Sequence, residues 1–255
     1  MSRALVAWLT SLTGETIEAG RIILTSRAVR TAMLFIWPWA GVIVGMDMAA
    51  HYGDATGAAL PVQLFISQDH SFGEYLEYAL TASCAVMLFV MWRRLGGFAY
   101  LANAAMMVWL TIDNALEFHE AFGHWIAPFL PVPASSPVHA NDIGEMMFFA
   151  MVGGIWLMGL ASALLGARPR AAVHSLYIAA GIAMAAVFGV FVDMLVTWGP
   201  HTLAQTDFQA WLEDGGEFAF INFTFLVVVA FFDAEKRRWQ YRTMAEAGRE
   251  LALAV

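Results

Sequence analysis

Six long apolar stretches constrain the fold of this chain more than any other feature of the sequence. Each is long enough to cross the hydrocarbon core of a bilayer, which requires about 20 residues in a helix. They cover approximately Arg30–Ala50, Glu74–Trp92, Phe98–Phe118, Asp142–Leu165, Leu176–Thr197 and Trp211–Phe232. Only 13% of the residues are charged, against about 25% in an average soluble domain. The sequence therefore predicts an all-α, polytopic membrane bundle of six transmembrane helices.

The two ends of the chain differ from the apolar stretches. Residues 1–27 mix apolar and polar side chains, and Thr13, Glu15 and Glu18 interrupt the apolar ones. This pattern predicts an amphipathic helix on the membrane surface rather than a signal peptide. It could also form a docking surface for another subunit. We expect the six-span domain to occupy residues 28–235 and a basic cytoplasmic tail to occupy residues 236–255.

The basic residues predict the orientation of the chain. If the six spans are correct, all 13 lysines and arginines lie on one side of the membrane, in the two tails and in the turns that contain Arg93, Arg94, Arg168 and Arg170. Basic residues accumulate on the cytoplasmic side of membrane proteins. We therefore expect both termini to be cytoplasmic and the chain to lie in a bacterial inner membrane, with the lipid bilayer as its surroundings.

The sequence excludes several kinds of cofactor site. Cys84 is the only cysteine, so an internal disulfide, a thiolate zinc site and an iron–sulfur cluster cannot form. Lys236 is the only lysine, and it follows the last apolar stretch. A retinal Schiff base inside the bundle is therefore excluded as well. Nothing in the composition indicates a nucleic-acid partner.

Acidic residues are concentrated on the predicted outer side. That side holds 15 of the 21 acidic residues and six of the seven histidines, without any lysine or arginine. In the third stretch, a continuous helix would place Asp113, Glu117, Glu120 and His124 on one stripe, with His119 off that stripe. If the helix instead ends before residue 120, the candidates are Asp113, His119 and Glu120. These acids lie at the C-terminal end of a helix, where the helix dipole disfavours them.

Other stretches bring acidic residues to the same membrane level. The pairs are Asp47 with His51, Glu74 with Glu77, Asp142 with Glu145, and Glu213 with Glu217, while Asp193 stands alone. Residues that open a helix, such as Asp142, Glu74 and Glu213, have an alternative interpretation as partners of the helix dipole. The histidines in loops have an equally plain interpretation as interfacial residues.

Converging carboxylates in a membrane need protons, a cation or a cationic partner to neutralise them. Carboxylates and histidines at i, i+3 or i, i+4 spacing build metal sites in helix bundles. We therefore predict a metal site near the outer face. Span 3 supplies Asp113, Glu117, Glu120 and His124. Spans 4 and 6 supply Asp142, Glu145, Glu213 and Glu217. Asp193, Asp47 and His119 are expected to lie nearby. The ligand set suits iron, manganese, zinc or another divalent ion, with copper also possible.

Two resemblances accompany these motifs. "LTIDNALEFHEAFG" together with "LEDGGEF" resembles a signature of uncharacterised bacterial multi-pass membrane proteins. The architecture is also similar to the C subunit of the membrane copper monooxygenases that oxidise methane and ammonia. Glu120, His124 and Asp142, followed by Glu145, stand where that subunit has an Asp-x3-His pair and a further histidine. Here a carboxylate replaces the second histidine and the loop is longer, so the resemblance does not transfer the copper chemistry.

Three classes of function are compatible with this sequence. The first is a membrane metalloenzyme, an oxidoreductase or hydrolase that acts on a lipophilic substrate. The second is a non-catalytic subunit of a larger membrane complex, and the third is a transporter of divalent cations or protons. The sequence is silent on the substrate, the catalytic residues, and whether the chain forms homo-oligomers or binds other membrane subunits.

Overall fold

A computed structural model describes residues 3–133, 136, 138–192 and 203–253 of the chain. All regular secondary structure within these residues is helical, which confirms the predicted all-α class. The helices are α1 (Arg3–Thr25), α2 (Arg27–Ala55), α3 (Phe72–Leu95), α4 (Phe98–Leu116), α5 (Phe118–Ile126), α6 (Ala140–Leu165), α7 (Pro169–Ala186) and α8 (Leu203–Leu253). A π-helical segment, Val187–Val192, continues α7, and short 3-10 turns occur at Val62–Leu64 and Ala127–Phe129.

Five helical segments in the described part of the chain are long and apolar enough to span a membrane. They are Arg27–Ala55, Phe72–Leu95, Ala140–Leu165, Pro169–Val192 and Trp211–Glu246. The protein is thus compatible with a location in a lipid bilayer. Helix α4 is the remaining predicted span, but its 19 residues include the polar Asn103, Asp113 and Asn114.

The main core lies where α3, α4, α7 and α8 meet. It contains fully buried apolar side chains from each of these helices, among them Leu88, Met107, Ile178 and Phe231. Helix α1 packs against this core through Ala19, which is almost completely buried. Burial of apolar area and close packing of this kind hold the helices together.

Several buried polar groups join α4 to its neighbours. The Asn103 side chain donates a hydrogen bond to the carbonyl oxygen of Ser175 at 3.1 Å and accepts one from Trp156 Nε1 at 3.3 Å. The Tyr100 hydroxyl lies 3.0 Å from His174 Nδ1, and the His174 ring stacks on Phe231. These contacts explain how a helix with polar residues fits inside an apolar bundle, because each polar side chain finds a partner on another helix.

The helices differ from the predicted spans in three places. Helix α7 begins at Pro169, seven residues before the predicted start of span 5 at Leu176. Helix α8 continues through the predicted tail to Leu253, because the residues after position 235 are good helix formers without glycine until position 248. The third difference is that α4 ends at Leu116, before most of the predicted site residues of span 3, and this changes how those residues are arranged.

Candidate functional site

The chain breaks its helical path at Glu117. Helix α4 ends at Leu116, where the Glu117 backbone N–H donates to the Asp113 carbonyl oxygen at 2.7 Å. Glu117 then adopts a left-handed conformation with φ of 52°, and α5 begins at Phe118 in a new direction. The prediction that Asp113, Glu117, Glu120 and His124 share one stripe of a continuous helix is therefore wrong.

Asp113 stabilises this break. Its side chain is completely buried, and its Oδ1 accepts a hydrogen bond from the His119 backbone N–H at 3.1 Å. That N–H belongs to the first turn of α5, so Asp113 caps α5 from the end of α4. Asp113 Oδ2 lies 3.2 Å from His119 Nδ1, which makes a second contact with the same residue. The expectation that His119 points away from Asp113 is thus corrected.

The charges around His119 alter its protonation. Burial alone would lower the pKa of the imidazole, but the hydrogen bond and charge of Asp113, with the charges of Glu145 and Glu120, raise it above its ordinary value. Burial, together with the negative charge of Asp69, raises the pKa of Glu120. When His119 is protonated, it supplies positive charge to a region where the described residues include no lysine or arginine.

Glu117 contacts the other non-glycine residue that has a positive φ. His70, with φ of 58°, places its Nε2 3.4 Å from Glu117 Oε1. Left-handed conformations of such residues cost of order 1–3 kcal/mol each and are concentrated at functional sites. Here the two conformations turn the loop before α3 and the end of α4 toward each other.

His124 lies at the edge of the site. The residue is exposed, and its Nδ1 lies 2.9 Å from the carbonyl oxygen of Glu120 in its own helix. Because of the break at Glu117, His124 and Asp113 belong to different helices. His119 therefore lies inside the site, whereas His124 lies at its exposed edge.

Two glycines allow α5 to lie directly on α6. A Cβ atom on Gly123 would come within 2.6 Å of the Glu145 side chain, and one on Gly144 within 2.8 Å of the Gly123 Cα. This close approach places Glu145 beside α5. Asp142 has a capping role, because its Oδ2 accepts a hydrogen bond from the His139 backbone N–H at 3.2 Å. That contact agrees with the alternative interpretation of Asp142 as a helix-opening residue.

A cavity of about 770 Å³ opens at this end of the bundle. Ten carboxylic acids and three histidines line it, and no lysine or arginine is among the described lining residues. Eight of the predicted site residues belong to this wall. They are Glu117, His119, Glu120, His124, Asp142, Glu145, Glu213 and Glu217. The inner wall is apolar and includes Met106, Leu110, Trp156 and Ile182.

A smaller polar cavity of about 70 Å³ adjoins the first. Its lining residues include Asn114 and the acidic residues Asp69, Glu74, Glu77, Asp214 and Glu217. The Glu217 carboxylate rests on Gly189 of the π-helical segment, where a Cβ atom would collide with it. Glu77, which also lines this cavity, is only 7% exposed.

Sequence reasoning did not include Glu74, Glu77, Asp69 or Asp214 among the metal ligands. The i, i+3 spacing of Glu74 and Glu77 was a usable signal, but both lie near the start of a helix, where acids are common. The Tyr78 hydroxyl, 2.8 Å from both Glu74 Oε2 and the Asn114 carbonyl oxygen, had no sequence signal.

Among the described residues, the predicted site residues that do not line these cavities are Asp47 and Asp113. Buried Asp47 accepts a hydrogen bond from the Ile66 backbone N–H at 2.9 Å, and its Oδ1 lies 3.5 Å from His51 Nε2. Asp47 therefore ties α2 to the following loop. Asp193 lies outside the residues that the structure describes.

The wall residues do not form a closed coordination group. Among the described residues, no three His, Cys, Asp or Glu side chains are close enough together to hold one metal ion. Comparison with models of known protein families, with curated proteins and with solved structures gives no match.

Proposed function

We propose that this chain is an integral membrane protein that binds a divalent cation in its acidic cavity. The observation that carries this proposal is the wall of ten carboxylic acids and three histidines, with no lysine or arginine among the lining residues that the structure describes. Carboxylates brought together in a bundle of low dielectric constant repel one another unless protons or a cation neutralise them. Partial protonation and a bound cation both contribute here.

The carboxylates of Glu77 and Glu217 are the proposed centre of cation binding. Both side chains line the small polar cavity, and Glu77 is only 7% exposed. Burying an ionised carboxylate away from water is costly unless a proton or an opposite charge neutralises it. A cation in contact with both carboxylates would remove that cost.

A site centred on two carboxylates suits a hydrated cation. Hard ions such as Mg²⁺ and Mn²⁺ are commonly held by one or two carboxylates and keep several waters. This mode does not require three protein ligands in contact with one ion, which the described residues do not provide. Iron, zinc and copper remain candidates if the side chains draw together when the metal binds.

We further propose six transmembrane helices, with α4 as the sixth, and cytoplasmic termini in a bacterial inner membrane. Acidic residues line one end of the bundle, whereas Arg168, Arg170, Arg238 and Arg242 gather at the other. Such a separation of charge agrees with the positive-inside rule. In this arrangement α1 lies at the cytoplasmic surface, and the acidic cavity faces outward.

A second candidate function is catalysis on a lipophilic substrate. The observation that favours it is the apolar inner wall of the large cavity, formed in part by Met106, Leu110 and Trp156. A volume of about 770 Å³ lies within the range of roughly 300–1,000 Å³ that is typical of small-molecule sites. An apolar group could occupy this part while a polar group reaches the carboxylates and His119.

Elemental analysis of the purified protein tests the proposed cation site. We expect a divalent metal in stoichiometric amount in the wild type and its loss in Glu217→Gln. Gly189→Ala should also lower the metal content, because the added methyl group displaces the flexible Glu217 carboxylate without removing its charge. Gly159→Ala is the matched control, since no atom lies within 4 Å of its added Cβ.

The outcome that contradicts the proposal is equally specific. Stable protein without bound metal, in a buffer that contains Mg²⁺ and Mn²⁺, would mean that protons or a partner protein neutralise the carboxylates. Metal content that is the same in wild type and Glu217→Gln would place the ion elsewhere in the molecule.

A further inference from the structure

A second cavity, of about 460 Å³, lies at the opposite end of the bundle from the acidic one. The turn between α3 and α4, the turn between α6 and α7, and the last part of α8 form its walls. Its charged lining residues are Arg168, Arg170, Glu235, Arg238 and Arg242. We refer to this cavity as the basic pocket.

The ion pairs of the basic pocket leave positive charge without compensation. Buried Glu235 accepts a hydrogen bond from Arg170 Nε at 2.7 Å and lies 3.8 Å from Arg238. Arg170 also contacts Glu15 of α1 at 3.3 Å. Arg168 and Arg242 form no ion pair within the described residues. The two carboxylates are thus engaged, and two guanidinium groups at the pocket remain available.

Backbone groups add donors at the same place. Helix α4 starts after Gly97 and α7 starts after Arg168, and neither N-terminus has a side-chain cap. Unpaired N–H groups at a helix start readily bind anions. The C-terminal ends of α3 and α6 lie in the same two turns and offset the helix dipoles. The arginines therefore determine the sign of the local charge.

The remaining wall of the basic pocket is apolar. It includes Leu95, Phe98, Ala163 and Ala167, and Phe98 is 65% exposed. These residues lie at the ends of apolar helices, where the bilayer surface is expected. A ligand that fits this pocket therefore needs an anionic group for the arginines and an apolar part that continues along the helices.

We propose that the basic pocket binds the phosphate headgroup of an anionic membrane lipid. Guanidinium groups match phosphate oxygens in a bidentate manner, and basic pockets between helices on the cytoplasmic side of a membrane bind anionic lipid headgroups. The apolar wall beside the arginines favours a lipid over a soluble phosphate. This inference does not depend on the proposed cation site at the other end.

Lipid binding to the full chain tests the proposal. Native mass spectrometry of the purified protein, titrated with phosphatidylglycerol or phosphatidylcholine, gives the affinity for each lipid. We expect tighter binding of phosphatidylglycerol and about fivefold weaker binding for each of Arg168→Gln and Arg242→Gln, the effect of one charge near a membrane surface. Arg94→Gln is the matched control, because it is exposed at the same end but does not line the pocket.

Three results would overturn the proposal. The first is equal binding of both lipids, and the second is unchanged binding of phosphatidylglycerol in the double variant of Arg168 and Arg242. The third is complete displacement of phosphatidylglycerol by inorganic phosphate at similar concentration, which would identify a site for soluble anions. Both arginines are exposed and without ion pairs within the described residues, so we expect the variants to fold normally.

Discussion

The break between α4 and α5 depends on the carboxylate of Asp113, and Asp113→Asn tests this dependence. The native side chain accepts the His119 backbone N–H through Oδ1 and contacts His119 Nδ1 through Oδ2. Asparagine has nearly the same size, but it keeps only one acceptor oxygen and replaces the other with an NH₂ donor. The amide oxygen can still accept the His119 backbone N–H, but the NH₂ group cannot accept a hydrogen bond from Nδ1–H, so the second contact is lost when His119 is protonated.

The expected loss of stability follows from the burial of Asp113. Its side chain is fully buried, so water cannot replace the missing partner. A hydrogen bond to a charged group contributes about 1.5–3 kcal/mol, and we therefore expect Asp113→Asn to lower the free energy of unfolding by about 2 kcal/mol. For a chain of this size, that loss corresponds to a decrease in Tm of roughly 4–8 °C.

The loss should depend on pH with a definite sign. The charge of Asp113 helps to raise the pKa of His119 above its unfolded value, which is about 6.5. A raised folded-state pKa stabilises the protein fully below the unfolded value, and this stabilisation disappears as the pH rises through the folded-state pKa. The difference between wild type and Asp113→Asn should therefore be larger at about pH 5.5 than at about pH 9.

Thermal unfolding in detergent, followed with a thiol-reactive dye, measures this effect directly. Cys84 is the only cysteine and is 1% exposed, so dye labelling reports opening of the core. His119→Ala should resemble Asp113→Asn, whereas His124→Ala should behave as wild type. An Asp113→Asn protein as stable as wild type at about pH 5.5 would refute the capping role of Asp113.

Three further predictions concern the bundle. Glu117→Gly should leave the free energy of unfolding unchanged or raise it by up to about 1 kcal/mol, because glycine adopts the left-handed conformation without strain and the exposed contact with His70 contributes little. A clear loss of stability in thermal unfolding would contradict this. Thr56→Cys should react with an impermeant thiol reagent added to intact cells and Gln240→Cys only after lysis, and the reverse pattern would invert the orientation. Asn103→Leu should destabilise the protein by about 0.5–2 kcal/mol in denaturant titration, because Trp156 Nε1 loses its acceptor; unchanged stability would argue against that contact.

The helices and the division of charge could be predicted from the sequence because both follow from local rules. An apolar run of sufficient length must form its backbone hydrogen bonds internally, so it becomes a helix regardless of its neighbours. The positions of the basic residues then indicate which ends of the helices face the cytoplasm. Helices α2, α3, α6 and α8 contain a predicted span and α4 ends two residues before its predicted end, whereas α7 starts earlier than predicted and α5 has no predicted counterpart.

The break at Glu117 could not be predicted in this way. A left-handed residue between two helices is usually glycine, and "NALEFHE" contains neither glycine nor proline. The conformation depends on a contact between Asp113 and the His119 backbone across the break, which no periodicity reveals. The same limitation applies to Glu77, whose significance depends on its burial against Glu217 rather than on its position in α3.

Binding of Mn²⁺ to the purified protein, measured by electron paramagnetic resonance titration, tests the central claim most directly. We predict one saturable site per chain in the wild type, with affinity more than about tenfold weaker in Glu77→Gln and Glu217→Gln. Glu18→Gln removes a carboxylate from α1, outside both acidic cavities, and should bind Mn²⁺ as the wild type does. Absence of saturable binding in the wild type, or equal affinity in all four proteins, would contradict a cation site in the acidic cavity.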